Sequence, residues 1–422
     1  MIPLAWDEVA GLELGLLEGT AGEITRVTSD SRDAAPGALF VALNTGVEYV
    51  AEARARGAAT LVPRDQEAAL AALASLVRAK SEAQVVAVVG SAGKTTTKDI
   101  LGALCAPHAP TIWAERSLNN ELGLPLTVCR LEPDTRILIT EMGMRGLGQV
   151  AELCAIARPS VVVIPHIGPE HLELLGSVER VAEANAEAIA ALPRGGVAVV
   201  PADVRELEPF LRRDDVTVRR FRTSEVEARD GRIRLALGEH VVELELPFTQ
   251  RHLAVNTLAA LHAYDALGLP LDRAHEGIPA LELSPWRGQE VPLAGGGFAV
   301  NDAYNANPDS LRAALEHLAE RGAGRRKIAI IGEMAELGAE SERYHRELGA
   351  LARALGIEVV GVGEPARAYG PSVWAATKGD VVEMAAEPSR PGDAVLVKAS
   401  RAVGLEGIAD EIAKIARAWS PS

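Results

Sequence analysis

The chain has 422 residues, a formal net charge of −15 and three cysteines. This length predicts two to four domains that each bury a core, and the acidic balance excludes a nucleic-acid backbone as the main partner while leaving room for a local phosphate pocket. The cysteines lack C-x-x-C spacing, the N-terminus lacks a signal-peptide pattern, and no apolar run approaches the ~20 residues of a membrane helix. We therefore expect a cytoplasmic protein with no membrane segment.

Residues 1–80 are predicted to form a small α/β unit. Strands are expected at 37–43 and 60–63, with a helix at 49–56 between them. An alanine- and leucine-rich helix at 65–80 leads into a new strand, so the first domain boundary is placed after residue 80.

The most informative segment is the phosphate-loop segment, residues 90–97, which reads Gly-Ser-Ala-Gly-Lys-Thr-Thr-Thr. It follows a valine-rich strand and precedes a helix. Gly90 and Gly93 let backbone N–H groups face phosphate oxygens, the helix N-terminus adds positive potential, and Lys94 adds a full charge. The Thr95 hydroxyl can ligate Mg²⁺. The first glycine of the full Walker spacing is missing, and the alternative is an ordinary glycine turn before a helix.

The rest of the central part predicts a doubly wound parallel sheet, because strand-like runs alternate with helical patterns. The runs lie at 137–140, 161–165 and 197–201. Residues 216–248 alternate apolar and charged residues and predict an antiparallel excursion at the sheet edge. A Leu-Ser-Pro-Trp stretch at 283–286 marks a second linker, so a central domain is placed at 81–284.

A third strand–helix series follows and predicts a C-terminal Rossmann-like domain over residues 285–422. Strands are expected at 298–301, 328–332, 359–362 and 394–397, with helices at 309–321 and 341–355.

Polar side chains follow several of these strands, and ligands bind at the carboxyl ends of open parallel sheets. Glu141 ends one strand, where its carboxylate can reach a metal near the phosphate loop, or else cap a helix. His171 follows the next strand and is either a ligand or a structural histidine. Asn119 and Asn120 precede a Gly-Leu-Pro sequence and are also typical of a turn. The polar segment 301–308 suits nucleotide binding, and the alternative is an Asx-rich turn with Asp309 capping a helix.

Together these motifs resemble the ATP-dependent Mur ligases along nearly the whole chain. The matching segments, in chain order, are 29–32, 90–97, 119–125, 141–143, the His171 segment, 302–308, 332–338 and 398–401. The resemblance implies three domains: a UDP-binding domain, a central ATPase domain and a C-terminal domain that closes over the site. It is closest for the branch that joins D-Ala-D-Ala to UDP-N-acetylmuramoyl tripeptide through an acyl phosphate, using ATP and Mg²⁺ in cell-wall synthesis.

The resemblance also implies roles for individual residues. Lys94 would hold the β- and γ-phosphates, with Asn120 assisting, and Arg287 would reach the phosphates from the C-terminal domain. A Mg²⁺ would be held by Thr95, and another by Glu141 and His171. The remaining implied contacts are Gly90, Gly93 and Thr96 to the nucleotide phosphates, Asn256 and Asp302 to the nucleoside, Tyr304 near the adenine, Ser31 and Arg32 to UDP, and Asn305 to the substrate.

The sequence departs from the family pattern in several places. Mur ligases usually carry a CO₂-modified, carbamylated lysine about fourteen residues after the histidine, whereas this chain has Asn185. Asparagine cannot form a carbamate, so either Glu183 or Glu187 compensates, or the metal has fewer protein ligands, with water bridged by the Asn185 amide. Leu253 replaces an asparagine common in the superfamily. The loop at 44–50 is shorter than usual and lacks the customary histidine, which bears on the UDP-sugar contacts.

Two other functions remain open on the sequence. Within the superfamily, the chain could add the third amino acid or act as a folylpolyglutamate synthetase. From a different class, it could be a P-loop switch or transport ATPase acting on a protein partner. No Asn-Lys-x-Asp guanine motif is present, and Arg287 and Asp302 would have no role in such a protein. We expect a monomer.

Overall fold

The computed structural model describes residues 1–19, 22–229, 232–385 and 392–418. Three larger sheets follow one another along the chain, and helices flank them, so the predicted α/β class is confirmed. No helix within these ranges is long and apolar enough to cross a membrane.

The N-terminal sheet has the strand order β2-β6-β5-β4, with β2 antiparallel to its neighbour and the others parallel. A short β1-β3 pair lies beside it. The elements are β1 (Leu4–Ala5), α1 (Trp6–Ala10), β2 (Gly15–Glu18), β3 (Glu23–Ile24), β4 (Arg26–Thr28), β5 (Ala38–Val41), α2 (Val50–Ala55), β6 (Ala59–Pro63) and α3 (Gln66–Ala79). Asp65 caps α3 by accepting from the Ala68 N–H, and the buried Leu70, Leu73 and Val77 pack in the core.

The central sheet has six parallel strands in the order β12-β11-β10-β7-β9-β8. The elements of this central part of the chain are β7 (Gln84–Val88), α4 (Lys94–Cys105), β8 (Thr111–Trp113), α5 (Gly123–Val128), β9 (Ile137–Glu141), α6 (Gln149–Ala157), β10 (Val161–Val163), α7 (Leu172–Leu175), α8 (Val178–Ala190), β11 (Val197–Pro201), β12 (Thr217–Phe221), β13 (Val226–Arg229), β14 (Arg232–Leu237), β15 (His240–Glu245) and α9 (Arg251–Ala266).

Strand β7 lies inside this sheet and faces two cores. Val85 and Ala87 join the core shared with α3, α5 and α6, whereas Val86 and Val88 join the core formed with α4 and α9. All four residues are fully buried, as expected for a parallel strand covered by helices on both faces. The loop that follows β7 is therefore fixed by packing on both sides of the sheet.

The prediction of an antiparallel excursion over residues 216–248 is partly wrong. Strand β12 pairs in parallel with β11 and extends the central sheet, and only β13, β14 and β15 form an antiparallel sheet of their own. Alternating apolar and charged residues indicate a strand with one exposed face, and an edge strand has this pattern in either pairing direction. The pattern therefore could not decide the direction of β12.

The C-terminal sheet has the order β16-β17-β21-β18-β19-β20, with only β16 antiparallel. Its elements are β16 (Gln289–Pro292), β17 (Phe298–Asn301), α10 (Pro308–Arg321), β18 (Lys327–Ile331), α11 (Ser341–Ala354), β19 (Ile357–Val362), β20 (Val373–Ala375), α12 (Lys378–Ala385), β21 (Ala394–Lys398) and α13 (Ile408–Ala418). Asn307 caps α10 by accepting from the Ser310 N–H, so Asp309 is not the capping residue.

The three cysteines are buried and do not form disulfides. Burial raises the pKa of the Cys129 and Cys154 thiols to about 12, so both are protonated at neutral pH.

Candidate active site

The phosphate loop connects β7 to α4 and needs its two glycines for different contacts. Gly90 has a φ of +116° and Gly93 a φ of +79°, which is the left-handed region that favours glycine. A Cβ at Gly90 would lie 2.7 Å from the His166 carbonyl oxygen, and one at Gly93 would lie 2.5 Å from Asn256 Oδ1. The backbone of the loop thus runs directly against two neighbouring segments.

Lys94 is the first residue of α4, and its side chain folds back over the loop. Its ammonium group donates to the Gly90 carbonyl at 2.5 Å and lies 3.4 Å from Glu170 Oε2. Both side chains are largely buried, with 15% and 10% of their surfaces exposed. A cation held in this way, beside a helix N-terminus, suits a phosphate group.

Glu141 lies beside the phosphate loop because β9 pairs with β7. Glu141 and Val88, the last residues of the two strands, are register partners. Asn119 Nδ2 donates to Glu141 Oε1 at 2.7 Å, while Glu141 Oε2 is buried and has no hydrogen-bond partner in the described structure. A buried carboxylate oxygen without a donor fits a cation ligand, since burying an unpaired charge is costly.

The donors available to Mg²⁺ are few. Among the described residues, no group of three or more His, Cys, Asp and Glu side chains is arranged to hold a metal on its own. Mg²⁺ usually binds through one or two carboxylates together with substrate phosphates and water. The residues present fit that arrangement, with Glu141 at the end of the strand beside β7 and the Thr95 hydroxyl in the first turn of α4.

Asn120 does not have the neighbours expected of a phosphate-binding residue. It is exposed, and its Oδ1 accepts from the Gly123 N–H at 2.9 Å, which orders the turn before α5. Its neighbour Asn119 makes the contact to Glu141 instead. The contact of Asn120 agrees with the turn interpretation, and its role at the phosphates stays a prediction. Asn119, for which the sequence analysis gave only the turn interpretation, contacts a carboxylate beside the loop.

His171 contacts Glu336, which lies in the loop between β18 and α11. Its Nδ1 is hydrogen-bonded to Glu336 Oε2, and Arg145 Nε lies 3.5 Å from Glu336 Oε1. His171 has a φ of +52° and Glu336 a φ of +62°, so both residues adopt a left-handed conformation that is uncommon outside glycine. Such conformations cluster at functional sites, and here two of them face each other across the cleft.

Arg287 reaches the phosphate loop from the segment between the central and C-terminal sheets. Its Nη2 donates to the Thr95 hydroxyl at 2.9 Å, and its guanidinium carbon lies 3.9 Å from the centre of the Tyr304 ring. Tyr304 in turn is hydrogen-bonded to Ser117 through its hydroxyl. Tyr304 therefore orients the arginine in this structure.

A cavity of about 580 Å³ opens beside the loop, between the central and C-terminal sheets. Thr96, Asn256, Asp302 and Asn305 line it, so the structure brings these four predicted residues together. Lys398 is buried and bonds Asp302 Oδ2 at 2.6 Å and the Asn305 carbonyl at 2.8 Å. Burial lowers the pKa of Lys398, and the Asp302 carboxylate opposes that shift.

Two further contacts close the C-terminal sheet over the phosphate loop. Asn307 Nδ2 donates to the Ser91 carbonyl at 3.2 Å, and His166 Nε2 lies 2.8 Å from Asp309 Oδ2. Asn307 and Arg287 thus lie directly against the phosphate loop, whereas Asp309 contacts the segment that follows β10.

Ser31 and Arg32 lie elsewhere, in a short turn after β4 of the N-terminal sheet. The Arg32 side chain is 82% exposed and pairs with Asp30 two residues away. Hydrogen bonds from Arg32 lower the pKa of Asp30 to about 2. The structure therefore separates the predicted UDP-contacting residues from the cleft.

Sequence reasoning missed Glu170 and Glu336 as residues of the cleft. Glu170 directly precedes the histidine already singled out, and Glu336 lies in the 332–338 motif, but neither position had a chemical signal of its own. Only the folded chain shows that both carboxylates face His171.

Comparisons with known proteins agree with this architecture. The Mur ligase middle domain matches residues 88–264, and the Mur ligase glutamate ligase domain matches residues 286–401. The chain is 31% identical over 401 residues to UDP-N-acetylmuramoyl-tripeptide–D-alanyl-D-alanine ligase of Escherichia coli (strain K12), covering 87% of this chain and 88% of that one.

Solved structures are similar over nearly the whole length. A MurF crystal structure from Acinetobacter baumannii has a TM-score of 0.86 at 26% identity, covering 97% of this chain and 99% of that one. MurF from Thermotoga maritima in complex with ADP has a TM-score of 0.79 at 27% identity, covering 93% and 98%. The two domain matches, the sequence identity and the shared fold show that the chain belongs to the Mur ligase family.

Proposed function

We propose that this protein joins D-Ala-D-Ala to the terminal carboxylate of UDP-N-acetylmuramoyl tripeptide, with cleavage of ATP to ADP and phosphate. The observation that carries the proposal is the closed cleft, in which Arg287 and Asn307 bond directly to the phosphate-loop residues Thr95 and Ser91. The relatives named for this reaction match the chain from the N-terminal sheet to the C-terminal sheet. The reaction belongs to cytoplasmic peptidoglycan precursor synthesis.

The chemistry has two steps. A carboxylate oxygen of the tripeptide attacks the γ-phosphorus of ATP, the bond from that phosphorus to the bridging oxygen breaks, and ADP leaves. The amine nitrogen of D-Ala-D-Ala then attacks the acyl carbon, the carbon–oxygen bond to phosphate breaks, and a proton leaves the nitrogen. Both steps gather negative charge, which Lys94 and Arg287 would stabilise from their positions at the phosphate loop.

Thr95, Glu141 and His171 are the residues proposed to hold Mg²⁺. The support is the unpartnered Glu141 Oε2 and the position of His171 beside Glu170. When bound, the metal would neutralise charge on the phosphate oxygens. Asn119 orients the Glu141 carboxylate, and Glu336 fixes the His171 ring by accepting from Nδ1, which leaves Nε2 free to act as a ligand.

The cavity lined by Asn256, Asp302 and Asn305 is proposed to hold the nucleoside and adjacent substrate groups. Lys398 orients the Asp302 carboxylate, and carboxylates accept hydrogen bonds from ribose hydroxyls. Tyr304 would act mainly through the orientation of Arg287. Ser31 and Arg32 would contact the UDP moiety.

The proposed domains are residues 1–80 for the UDP substrate, 81–284 for ATP and 285–422 for closure over the site, in a protein that acts as a monomer. Closure belongs to catalysis in this scheme, because the C-terminal side chains meet the phosphate loop only when the sheets approach.

The test is a phosphate-release assay on the full chain with ATP, Mg²⁺ and a panel of acceptors. UDP-N-acetylmuramoyl tripeptide plus D-Ala-D-Ala is expected to give fast release and the pentapeptide product. The dipeptide precursor with a third amino acid, or a folate with glutamate, is expected to give little. Hydrolysis that is fast without an amine acceptor and unchanged by D-Ala-D-Ala would favour a switch or transport ATPase instead.

A further inference from the structure

Glu170 is a buried carboxylate that has no role in the proposed ligase reaction. The residue is 8% exposed, and its Oε2 lies 3.4 Å from Lys94 Nζ and 3.9 Å from His171 Nε2. Lys94 is the cation proposed to bind the ATP phosphates. When the phosphates arrive, Glu170 must share that cation with them, and a buried carboxylate beside phosphates is unfavourable unless another cation joins the site.

The residues expected from the sequence to compensate for the missing lysine at position 185 are occupied elsewhere. Asn185 is 1% exposed; its Oδ1 accepts from the Gly90 N–H at 2.6 Å, and its Nδ2 donates to the Val181 carbonyl at 2.8 Å. Its amide therefore supports the phosphate loop, and both its oxygen and its nitrogen already have partners within the buried fold.

The two neighbouring glutamates are also engaged. Glu187 accepts from the Gly148 and Ala151 N–H groups at 2.6 and 3.0 Å, at the N-terminus of α6. The Glu183 side chain is 45% exposed and lies 3.7 Å from Arg180. None of these contacts is to the phosphate loop or to His171, so they give no support to the expectation that Glu183 or Glu187 compensates.

We propose that Glu170 is a metal ligand, and that it supplies from position 170 the negative oxygen that a carbamylated lysine is expected to supply in related ligases. Glu170 and His171 would together hold a Mg²⁺ that faces the γ-phosphate. The inference rests on the proposed function insofar as ATP is the nucleotide in the cleft.

The distance between the two side chains fits one metal. Octahedral Mg²⁺ holds its ligands at about 2.1 Å, so two ligands of one ion are about 3 Å apart when adjacent and about 4.2 Å apart when opposite. Glu170 Oε2 and His171 Nε2 are 3.9 Å apart. The charge also fits, because a glutamate carboxylate and a lysine carbamate each carry one negative charge.

The proposal predicts that metal binding needs Glu170 and does not need CO₂. The experiment is a Mn²⁺ titration of the full chain with a non-hydrolysable ATP analogue, followed by electron paramagnetic resonance and calorimetry. In Glu170→Gln, one Mn²⁺ site is expected to weaken about tenfold or more, while the site that uses Thr95 is unchanged. Glutamine keeps the shape of the side chain, so the fold is expected to persist.

Glu183→Gln is the matched control, because it removes one of the carboxylates that the sequence alone predicted to compensate for the missing lysine. It is expected to bind Mn²⁺ within about twofold of the parent, as is usual when a surface charge is removed. Binding by the parent is expected to be the same in CO₂-free and bicarbonate-containing buffer.

Three results would overturn the proposal: Mn²⁺ binding by Glu170→Gln that stays within about twofold of the parent, an equal loss in Glu183→Gln, or bicarbonate stimulation of the parent. None of these measurements uses the tripeptide or D-Ala-D-Ala. A failure of the Glu170 proposal is therefore distinct from a failure of the proposed ligase reaction, which the acceptor panel tests separately.

Discussion

The cleft beside the phosphate loop and the turn at Ser31 and Arg32 are both predicted to hold part of a nucleotide, yet they are organised differently. In the cleft, Lys94, Arg287 and Lys398 contact partners distant in sequence, which are Glu170, Thr95 and Asp302. In the N-terminal turn, Arg32 is mostly exposed and pairs with a residue two positions away. The charged side chains of the cleft are thus oriented by tertiary contacts, whereas Arg32 is oriented by a local contact alone.

The largest effect is expected for Lys94→Ala in the cleft. Removing a full charge from a closed phosphoryl-transfer site costs about 3–4 kcal/mol, or about 10²–10³-fold in kcat. Lys80→Ala is the control, since that lysine pairs with Glu8 away from the phosphate loop. Steady-state kinetics measure both variants. If Lys94→Ala kept more than about a tenth of the parent activity, the phosphate-loop assignment would be contradicted. A tenfold loss of rate corresponds to only ~1.4 kcal/mol of activation free energy.

Glu336→Gln tests the contact that joins the C-terminal sheet to His171. Loss of the carboxylate frees the His171 ring and weakens closure of the C-terminal domain over the site. We therefore expect a loss of about 10- to 100-fold in activity or Mg²⁺ affinity. Glu340→Gln is the matched control, because Glu340 pairs with Arg343 at the start of α11. Kinetics at varied Mg²⁺ separate the two effects. Equal behaviour of the two variants would mean that the contact has no part in the reaction.

Arg287→Ala and Arg32→Ala compare the two regions directly. Arg287→Ala is expected to impair ATP use and leave the affinity for the UDP substrate unchanged, because its contacts are to Thr95 and Tyr304. Arg32→Ala is expected to weaken UDP-substrate binding by about tenfold, with kcat at saturation unchanged, because a charge-assisted hydrogen bond contributes about 1.5–3 kcal/mol. Calorimetry and kinetics measure both. A loss of UDP-substrate affinity in folded Arg287→Ala would contradict this division.

The smallest expected effect is a pH dependence of stability from His345, which supports the loop that carries Glu336. The Nε2 of this buried residue accepts from the Met334 N–H, and its Nδ1 donates to the Ser341 carbonyl. Burial lowers the pKa of His345 below its unfolded value of about 6.5. As the pH falls through about 6.5, the unfolded chain binds more protons at this residue than the folded chain does. The contribution of His345 to the free energy of unfolding is therefore complete at neutral pH and is lost on acidification.

Thermal unfolding between pH 7.5 and 5 measures this dependence. His345→Gln is expected to have a lower Tm at neutral pH and a shallower fall on acidification. An unchanged slope in His345→Gln would show that other buried histidines account for the acid sensitivity.

Local patterns predicted the parts of the fold that depend on neighbours in sequence. The strand and helix around Gly90 and Gly93 follow from an apolar run, glycines and a Lys-Thr pair. The pairing direction of β12 did not follow, because an edge strand has the same alternation in either direction. Asn119 and Asn120 are adjacent and have the same side chain, so the sequence does not distinguish them. Only the fold shows that Asn119 contacts Glu141 and that Asn120 orders a turn.

The sequence by itself determined the α/β class, the phosphate loop and the absence of a lysine at position 185, because each depends on residue identity and short-range spacing. Only the tertiary structure decided where the neighbouring glutamates lie. Glu170 and Glu187 are both glutamates near His171 in the chain, yet one is buried against Lys94 and the other caps α6. The strand order of the sheets sets these distances, and strand order comes from packing across the whole core rather than from any local segment.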